Sequence, residues 1–250
     1  MKAVLDACVL YPTVLREILI AVADAGLYTP VWSPRILAEW RHAAARLGAD
    51  GAAEAHAAML LDLLDLWGGE RYLAPGGRRV VVFDPPDAAS WFDAHAPAGF
   101  ALQPQEGPDL GARMANFLSA ELAEGADRVV VIGSDSPTLD PSHVVSAFLC
   151  LEHKDVVLGP AADGGYYLVG ARRPVPELFR DIPWSTPAVL ARSVAALRES
   201  GRSLAVLPPW YDVDTPESWD LLAGHLAALR HAGLDPELPR TEALVARPHG

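Results

Sequence analysis

Short runs of β-branched residues alternate with segments of helical apolar spacing from about residue 78 onward. The clearest run is Val129–Ile132, which ends at Gly133 and is followed by polar turn residues. A continuous β-branched run of this length is typical of a strand buried on both faces of a sheet. Strands that alternate with helices in this way predict an α/β fold, with helices packed against a mostly parallel sheet.

The same patterns predict the individual elements. We expect strands over residues 79–83, 100–102, 128–132, 155–158, 166–170 and 203–207. We expect helices over residues 90–94, 109–124, 141–151, 186–200 and 216–231. Thr186 is predicted to cap one of these helices, because Pro187 after it is favoured in a first helical turn.

The first part of the chain is organised differently. Residues 2–9 are a strand candidate, and residues 13–25 and 34–47 have the spacing of helices. A polar break leads into a further predicted helix over residues 53–67. The last residues, 240–250, follow no periodic pattern, and we expect them to form a loose tail.

Charge and cysteine content exclude several classes of function. A net charge of −12 opposes broad binding of nucleic acid through its phosphates. It does not oppose a small anionic ligand held together with a divalent metal. Two cysteines are too few for a disulfide framework, and no apolar run is long enough to span a membrane. No secretory signal is visible, so we expect a cytoplasmic protein without membrane partners.

The strongest indication of chemistry is the carboxylate that follows the clearest strand. Asp135 lies in the sequence Gly133-Ser134-Asp135-Ser136-Pro137. Ligands of open α/β sheets bind beyond the carboxyl ends of the strands, so this carboxylate is expected to face a crevice. Its oxygens would suit Mg²⁺ or Mn²⁺. The alternative is that Asp135 only caps a turn, for which Asp-Ser-Pro is also well suited.

Two later segments contain further carboxylates. Asp163 precedes Gly164 and Gly165, and paired glycines allow a tight turn and close approach of a ligand to the backbone. A hairpin turn is the alternative there. Asp212 and Asp214 are separated by one residue and lie just before a predicted helix. A helix cap formed by Thr215 or Asp214 would explain only one of these two carboxylates. A metal shared with Asp135 would use both.

Two weaker segments complete the candidate residues. Asp109 and Arg113 are four residues apart at a helix start, which is also the spacing of an ordinary surface pair. Trp184 and Ser185 would line a pocket, or would belong to a helix cap with an aromatic staple.

Together these segments resemble the bacterial glycosyltransferase-like family associated with radical-SAM and selenium-domain proteins, often labelled arsenosugar-biosynthesis glycosyltransferases. The resemblance covers roughly residues 47–229. It rests on five motifs that occur in order: Asp109-Leu110-Gly111-x-Arg113-Met114, Gly133-Ser134-Asp135-Ser136-Pro137, Gly159-Pro160-x-x-Asp163-Gly164-Gly165-Tyr166-Tyr167, Trp184-Ser185-Thr186 and Asp212-Val213-Asp214-Thr215-Pro216.

This resemblance implies a three-layer nucleotide-diphospho-sugar transferase fold of the Rossmann-like GT-A type, similar to that of phospholactate and molybdopterin-cofactor guanylyltransferases. It implies that Asp135 binds the metal and the nucleotide, and that Asp212 or Asp214 completes the metal site. Asp163 would act near the transferred group or the acceptor. The residues expected to bind the nucleotide or the substrate are Asp109, Arg113, Gly133, Ser134, Gly164, Gly165, Tyr166, Trp184 and Ser185.

The beginning of the chain departs from that family. A basic, glycine-containing phosphate loop is expected after the first strand, and residues 1–46 contain none. Residues 1–12 and 26–40 instead resemble the start of a PIN-domain ribonuclease, in which Asp6 and Glu39 would bind Mg²⁺. We therefore predict an incomplete PIN-like segment over residues 1–46, an atypical βαα opening, and a glycosyltransferase-like domain over residues 47–239.

Three hypotheses of function follow. The first is a Mg²⁺- or Mn²⁺-dependent transferase that passes a glycosyl or nucleotidyl group from a nucleotide sugar or a nucleoside triphosphate to a small acceptor. The missing N-terminal phosphate loop would impair this activity. The second is a PIN-type ribonuclease, the only one of the three with a nucleic-acid partner. The third is an inactive α/β binding protein. The donor base, the acceptor and the oligomeric state stay open.

Overall fold

The structure is a computed structural model that describes residues 54–69 and 77–247, together with the backbone of residues 2–6. No helix within these ranges is long and apolar enough to cross a membrane. The predicted helices over residues 13–25 and 34–47 lie outside the described residues. So does the predicted boundary near residue 46, which stays a prediction.

Seven strands of the described residues form one sheet. They are β1 (Lys2–Asp6), β2 (Arg78–Phe83), β3 (Phe100–Pro104), β4 (Val129–Ile132), β5 (Val156–Pro160), β6 (Tyr166–Ala171) and β7 (Leu204–Val206). Their order across the sheet is β3-β2-β1-β4-β6-β5-β7. Only β6 among them pairs antiparallel to its neighbours, so the predicted mostly parallel sheet is confirmed.

Helices cover both faces of this sheet, which confirms the three-layer α/β fold. They are α1 (residues 54–68), α2 (Ala89–His95), α3 (Leu110–Ala123), α4 (Pro141–Cys150), α5 (Val189–Glu199), α6 (Pro216–His231) and α7 (Pro239–Val245). Alternate residues of β4 enter different layers, because successive side chains of a strand point to opposite faces. Val130 and Ile132 pack with α1, α2 and α4, while Val129 and Val131 pack with α3 and α5.

The first strand is central to the sheet. β1 pairs in parallel with β2 on one side and with β4 on the other, where Leu5 is opposite Ile132. Strands β2 and β3 continue the sheet away from β1, and the chain then crosses to β4 on the other side of it. The strand order therefore reverses between β1 and β4. In open α/β sheets this is the place where the ends of the strands leave a crevice for a ligand.

The end of the chain differs from the sequence prediction of a loose tail over residues 240–250. Residues 239–245 form helix α7, whose first turn is held by Asp62 of α1. The fully buried Asp62 carboxylate accepts hydrogen bonds from the Arg240 N–H at 3.2 Å, and from the Thr241 N–H and hydroxyl, both at 2.8 Å. This contact joins residues 179 positions apart, so no local sequence pattern could reveal it.

We predict that Asp62→Asn lowers the free energy of unfolding by about 3 kcal/mol, because it weakens several buried hydrogen bonds and leaves Arg240 without its buried partner. Asp65→Asn is the matched control, since Asp65 contacts the same guanidinium at 2.7 Å from a side chain that is 56% exposed. It should change stability by less than about 1 kcal/mol. Urea denaturation measures both, and equal effects would contradict the assigned role of Asp62.

We also predict an acid-sensitive stability from His56. Its side chain is buried in α1, no hydrogen-bond partner of its ring nitrogens is found among the described residues, and burial lowers its pKa from 6.5 to about 4. Below pH 6.5 the unfolded chain takes up this proton and the folded chain does not. Stability is therefore lost as the pH falls from about 6.5 to 4, by about 3 kcal/mol for this group.

Denaturation curves at pH 7 and pH 4.5 test this prediction. His56→Leu should remove most of this group's contribution to the pH dependence. The exposed His231, replaced by Gln, should leave the pH dependence as it is in the wild type. A wild-type pH dependence that is retained in His56→Leu would show that other groups cause it.

Candidate active site

Asp135 follows a strand that is buried along its whole length. All four residues of β4 are buried, and the chain continues through Gly133 and Ser134 to Asp135 at the carboxyl end of the strand. The Gly133 N–H donates to the Tyr167 carbonyl at 3.1 Å, which extends the pairing with β6 beyond the strand. The backbone that leads to Asp135 is thus held in the sheet, next to the point where the strand order reverses.

Asp212 and Asp214 reach the same place from the other end of the chain. They lie in the connection between β7 and α6, where the Val213 N–H donates to the Asp135 carbonyl at 2.8 Å. Val213 itself is buried in a cluster with residues of α1 and α6. Each of the three aspartates offers an oxygen that lies within 4.8 Å of the other two. The predicted grouping of Asp135, Asp212 and Asp214 is thereby present in the structure.

The three carboxylates disturb each other electrostatically. Burial, and then the charge of Asp163, raises the pKa of Asp212. Burial, and then the charges of Asp135 and Asp212, raises the pKa of Asp214 well above its usual value. Protein atoms crowd the Asp214 carboxylate, although part of the residue is exposed to solvent. Such a group favours a proton or a cation, and its oxygens are the ligands that hard divalent cations prefer.

Asp163 contributes a fourth carboxylate, since its charge is felt by both Asp212 and Asp214. It lies in the turn between β5 and β6, where the Gly165 N–H donates to its Oδ1 at 2.7 Å. Gly164 has a φ of +93°, and its carbonyl accepts from the Leu190 N–H at 2.9 Å. The turn is therefore fixed, while the Asp163 side chain remains exposed and accessible to a ligand.

Two serine hydroxyls beside Asp135 are buried and have no hydrogen-bond partner among the described residues. Ser134 is fully buried and Ser136 is 2% exposed. A buried hydroxyl without a partner is energetically unfavourable, so a ligand or water that bonds to it is favoured. Ser134 was expected from the sequence. Ser136 was missed, although it occurs in the same motif.

Residues 184–187, here called the bridge segment, pack against two glycines of different parts of the site. A Cβ on Gly111 would lie 2.5 Å from Nε1 of Trp184, and a Cβ on Gly164 would lie 2.6 Å from the backbone of Pro187. Ser185 has a φ of +59°, which is unusual for a residue other than glycine. The segment thus links the start of α3 to the Asp163 turn.

This packing explains one difference from the sequence prediction. The predicted helix start at Thr186 is wrong, because α5 begins at Val189 after an N-cap at Ala188. The Thr186 hydroxyl accepts from the Ala188 N–H at 3.3 Å and donates to the Pro183 carbonyl at 2.7 Å. Tyr166, also an expected site residue, contacts the Trp184 ring edge to face at 6.3 Å. Burial raises the pKa of the Tyr166 hydroxyl.

Asp109 and Arg113 lie at the β2 and β3 side of the same sheet edge. Asp109 is the N-cap of α3 and accepts from the Ala112 N–H at 2.8 Å. Arg113 forms an ion pair with Asp84 at 2.8 Å and a hydrogen bond with Gln105 at 3.3 Å. Sequence reasoning did not select Asp84 or Gln105 for this site, because they follow β2 and β3 whereas Arg113 lies on α3.

The PIN alternative depends on Asp6 and Glu39. Asp6 is the last residue of β1, so its backbone lies at the same edge of the sheet, between β2 and β4. Glu39 lies outside the described residues. No comparison confirms the PIN resemblance, which stays a prediction.

Comparisons with known proteins support the fold. Residues 70–186 match the family model described as "Uncharacterized protein conserved in bacteria (DUF2064)". The crystal structure of a protein from Desulfovibrio desulfuricans G20, provisionally assigned as a nucleotide-diphospho-sugar transferase, is 28% identical, with a TM-score of 0.72. The match covers 98% of this chain and 96% of that chain. The chain therefore has a nucleotide-diphospho-sugar transferase-like fold.

Two other solved structures are more distant. CMP:2-keto-3-deoxy-manno-octonic acid synthetase in complex with CTP is 14% identical, with a TM-score of 0.46, and the match covers 67% of this chain and 88% of that chain. 4-Diphosphocytidyl-2C-methyl-D-erythritol synthase is 12% identical, with a TM-score of 0.45, and the match covers 66% of this chain and 86% of that chain. These similarities are too weak to bear on function. No curated protein sequence matches the chain.

We predict that Gly164→Ala destabilises the protein by about 3 kcal/mol, because both a positive φ and a clash with the Pro187 backbone oppose the new methyl group. Gly201→Ala is the control, since Gly201 has a φ of +67° but nothing within 4 Å of the added carbon. It should cost about 1 kcal/mol. Thermal and urea denaturation measure the difference. Equal losses would mean that packing of the bridge segment against Gly164 contributes nothing.

Proposed function

We propose that this chain is a divalent-metal-dependent transferase that takes a nucleotide donor. The donor is a nucleotide sugar or a nucleoside triphosphate, and a glycosyl or nucleotidyl group passes to a small-molecule acceptor. The main support is the convergence of Asp135, Asp212 and Asp214 within 4.8 Å at the reversal of strand order. The similarity in fold to the Desulfovibrio protein supports the same class of reaction.

The donor set fits Mg²⁺ or Mn²⁺. Three carboxylate oxygens from two connections are hard ligands, and the mutual repulsion that helps to raise the pKa values of Asp212 and Asp214 favours a bound cation. In this proposal Asp135, Asp212 and Asp214 hold the cation. When bound, the cation would neutralise negative charge on the donor phosphates and on the phosphate that leaves.

The chain's own residues then have separate tasks. Gly133 and the buried Ser134 form the floor near Asp135, where the small side chains let a phosphate approach and the Ser134 hydroxyl can donate to it. Asp109 and Arg113 line the β2 and β3 side, where they would contact the nucleotide. Trp184 and Ser185 of the bridge segment would limit the crevice beside Tyr166, Gly164 and Gly165.

Asp163 is proposed to act on the acceptor. Its Oδ1 is fixed by the Gly165 N–H, and the exposed carboxylate can accept a hydrogen bond from an acceptor hydroxyl. The acceptor oxygen attacks the sugar carbon or the α-phosphorus of the donor, its proton passes to Asp163, and the bond to the departing phosphate oxygen breaks. The finer assignment to the radical-SAM-associated glycosyltransferase-like family is part of this proposal and rests on the five sequence motifs.

We predict that Asp135→Asn abolishes metal-dependent nucleotide binding in a protein that stays folded. The test is a thermal-shift series with UDP, GDP, GTP, UDP-sugars and GDP-sugars, each with Mn²⁺ and with EDTA. A ligand at 100 times its Kd stabilises the folded state by about 2.7 kcal/mol, which is readily detected. The wild type should respond to one base, and only with Mn²⁺.

Asp127→Asn is the matched control, since Asp127 is exposed and lies two residues before β4, at the opposite end of the same strand. It should bind as the wild type does. Nucleotide binding that is equal in EDTA, or unchanged in Asp135→Asn, would contradict the proposed function.

A further inference from the structure

The connection over residues 207–215, which carries Asp212 and Asp214, is fastened to the sheet along its length. The Leu207 N–H donates to the Leu158 carbonyl at 2.9 Å, and the Trp210 N–H donates to the Pro160 carbonyl at 3.0 Å. The Tyr167 hydroxyl donates to the carbonyl of Pro208 at 2.9 Å. The connection therefore lies along β5 and β6 up to the residue before Tyr211.

Beyond that point the connection must bring two carboxylates to a third. Their oxygens lie within 4.8 Å of one another, and carboxylates at that separation repel each other when they are charged. The backbone bond from Val213 to Asp135 acts against the repulsion at one position. A second link across the same gap is formed by side chains, on the other side of Asp212.

The second link centres on the Tyr211 hydroxyl. The Thr138 hydroxyl donates to the Tyr211 oxygen at 2.8 Å, and the same oxygen lies 2.8 Å from Nδ1 of His225. The Tyr211 hydroxyl, which accepts from Thr138, can therefore donate its own hydrogen bond to Nδ1 of His225. Thr138 follows Asp135 by three residues, Tyr211 directly precedes Asp212, and His225 belongs to α6. One hydroxyl thus joins the two acidic connections to a helix.

We propose that Tyr211 is a positioning residue for the metal site, acting through Thr138 and His225 to hold Asp212 opposite Asp135 before a cation binds. This inference rests on the proposed function, because it assumes that the three carboxylates bind a divalent cation. Groups that orient metal ligands typically change metal affinity by 10–100-fold when they are removed.

The hydroxyl can be tested apart from the ring. The Tyr211 ring stacks on Trp210 with centroids 5.9 Å apart and lies 5.8 Å from the His225 ring. Tyr211→Phe retains both ring contacts and removes only the two hydrogen bonds. Any effect of that variant on metal affinity therefore belongs to the hydroxyl.

The experiment measures the Kd for Mn²⁺ of the full chain by isothermal titration calorimetry, together with the Tm without metal. Tyr211→Phe should raise the Kd 10-fold or more. Ser203→Ala is the matched control, because the Ser203 hydroxyl also makes two hydrogen bonds, both to Asp155, at the opposite edge of the sheet. It should lower the Tm about as much and leave the Kd within 2-fold of the wild type.

Variants of His225 test the acceptor at the end of the link. His225→Asn keeps a side-chain oxygen near the position of Nδ1 and should bind Mn²⁺ within 3-fold of the wild type. His225→Leu removes the acceptor and should resemble Tyr211→Phe. The double variant Thr138→Val with Tyr211→Phe should be no weaker than Tyr211→Phe alone, because both changes break the same link.

The outcomes separate this inference from the function on which it rests. Absence of Mn²⁺ binding by the wild type would overturn the proposed function, and the inference with it. Mn²⁺ binding by the wild type with an unchanged Kd in Tyr211→Phe would overturn the inference alone. An equal rise of the Kd in Ser203→Ala would also overturn it, because the effect would then follow general destabilisation.

Discussion

The hydrogen bond from the Val213 amide to the Asp135 carbonyl is the contact on which the candidate site depends. It joins the connection after β4 to the connection before α6, and the two bonded residues are 78 positions apart in the sequence. Because Val213 is anchored in the core, its two acidic neighbours are directed toward Asp135. Like charges are thus brought together by backbone geometry and apolar burial. A cation that enters the group meets carboxylates that are already assembled.

The sequence predicted the parts of the fold that local patterns determine. The β-branched run of β4 and the turn after Ile132 are visible without any structure. The start of α6 was equally clear, since Thr215 is its N-cap and Pro216 opens its first turn. Asp135, Asp212 and Asp214 could be selected because each of them follows or precedes such a boundary.

What the sequence could not predict depends on contacts between distant segments. Helix α7 required the buried carboxylate of Asp62, which local periodicity cannot identify. The late start of α5 required the packing of Pro187 against Gly164, so the usual capping pattern at Thr186 was misleading. The partners of Arg113 were likewise missed. The roles proposed for Asp163 and for the nucleotide-binding residues remain predictions.

The central place of β1 has a consequence for how the chain can fold. Its partner β4 ends at Ile132, so during synthesis the middle of the sheet cannot close until more than half of the chain has emerged from the ribosome. Until then β2 is the only one of its partners among the described strands that has been synthesised. Such long-range pairing slows folding and prolongs the exposure of unpaired strand edges. Throughout the synthesis of the residues before β4, one edge of β1 therefore lacks its partner in the final sheet.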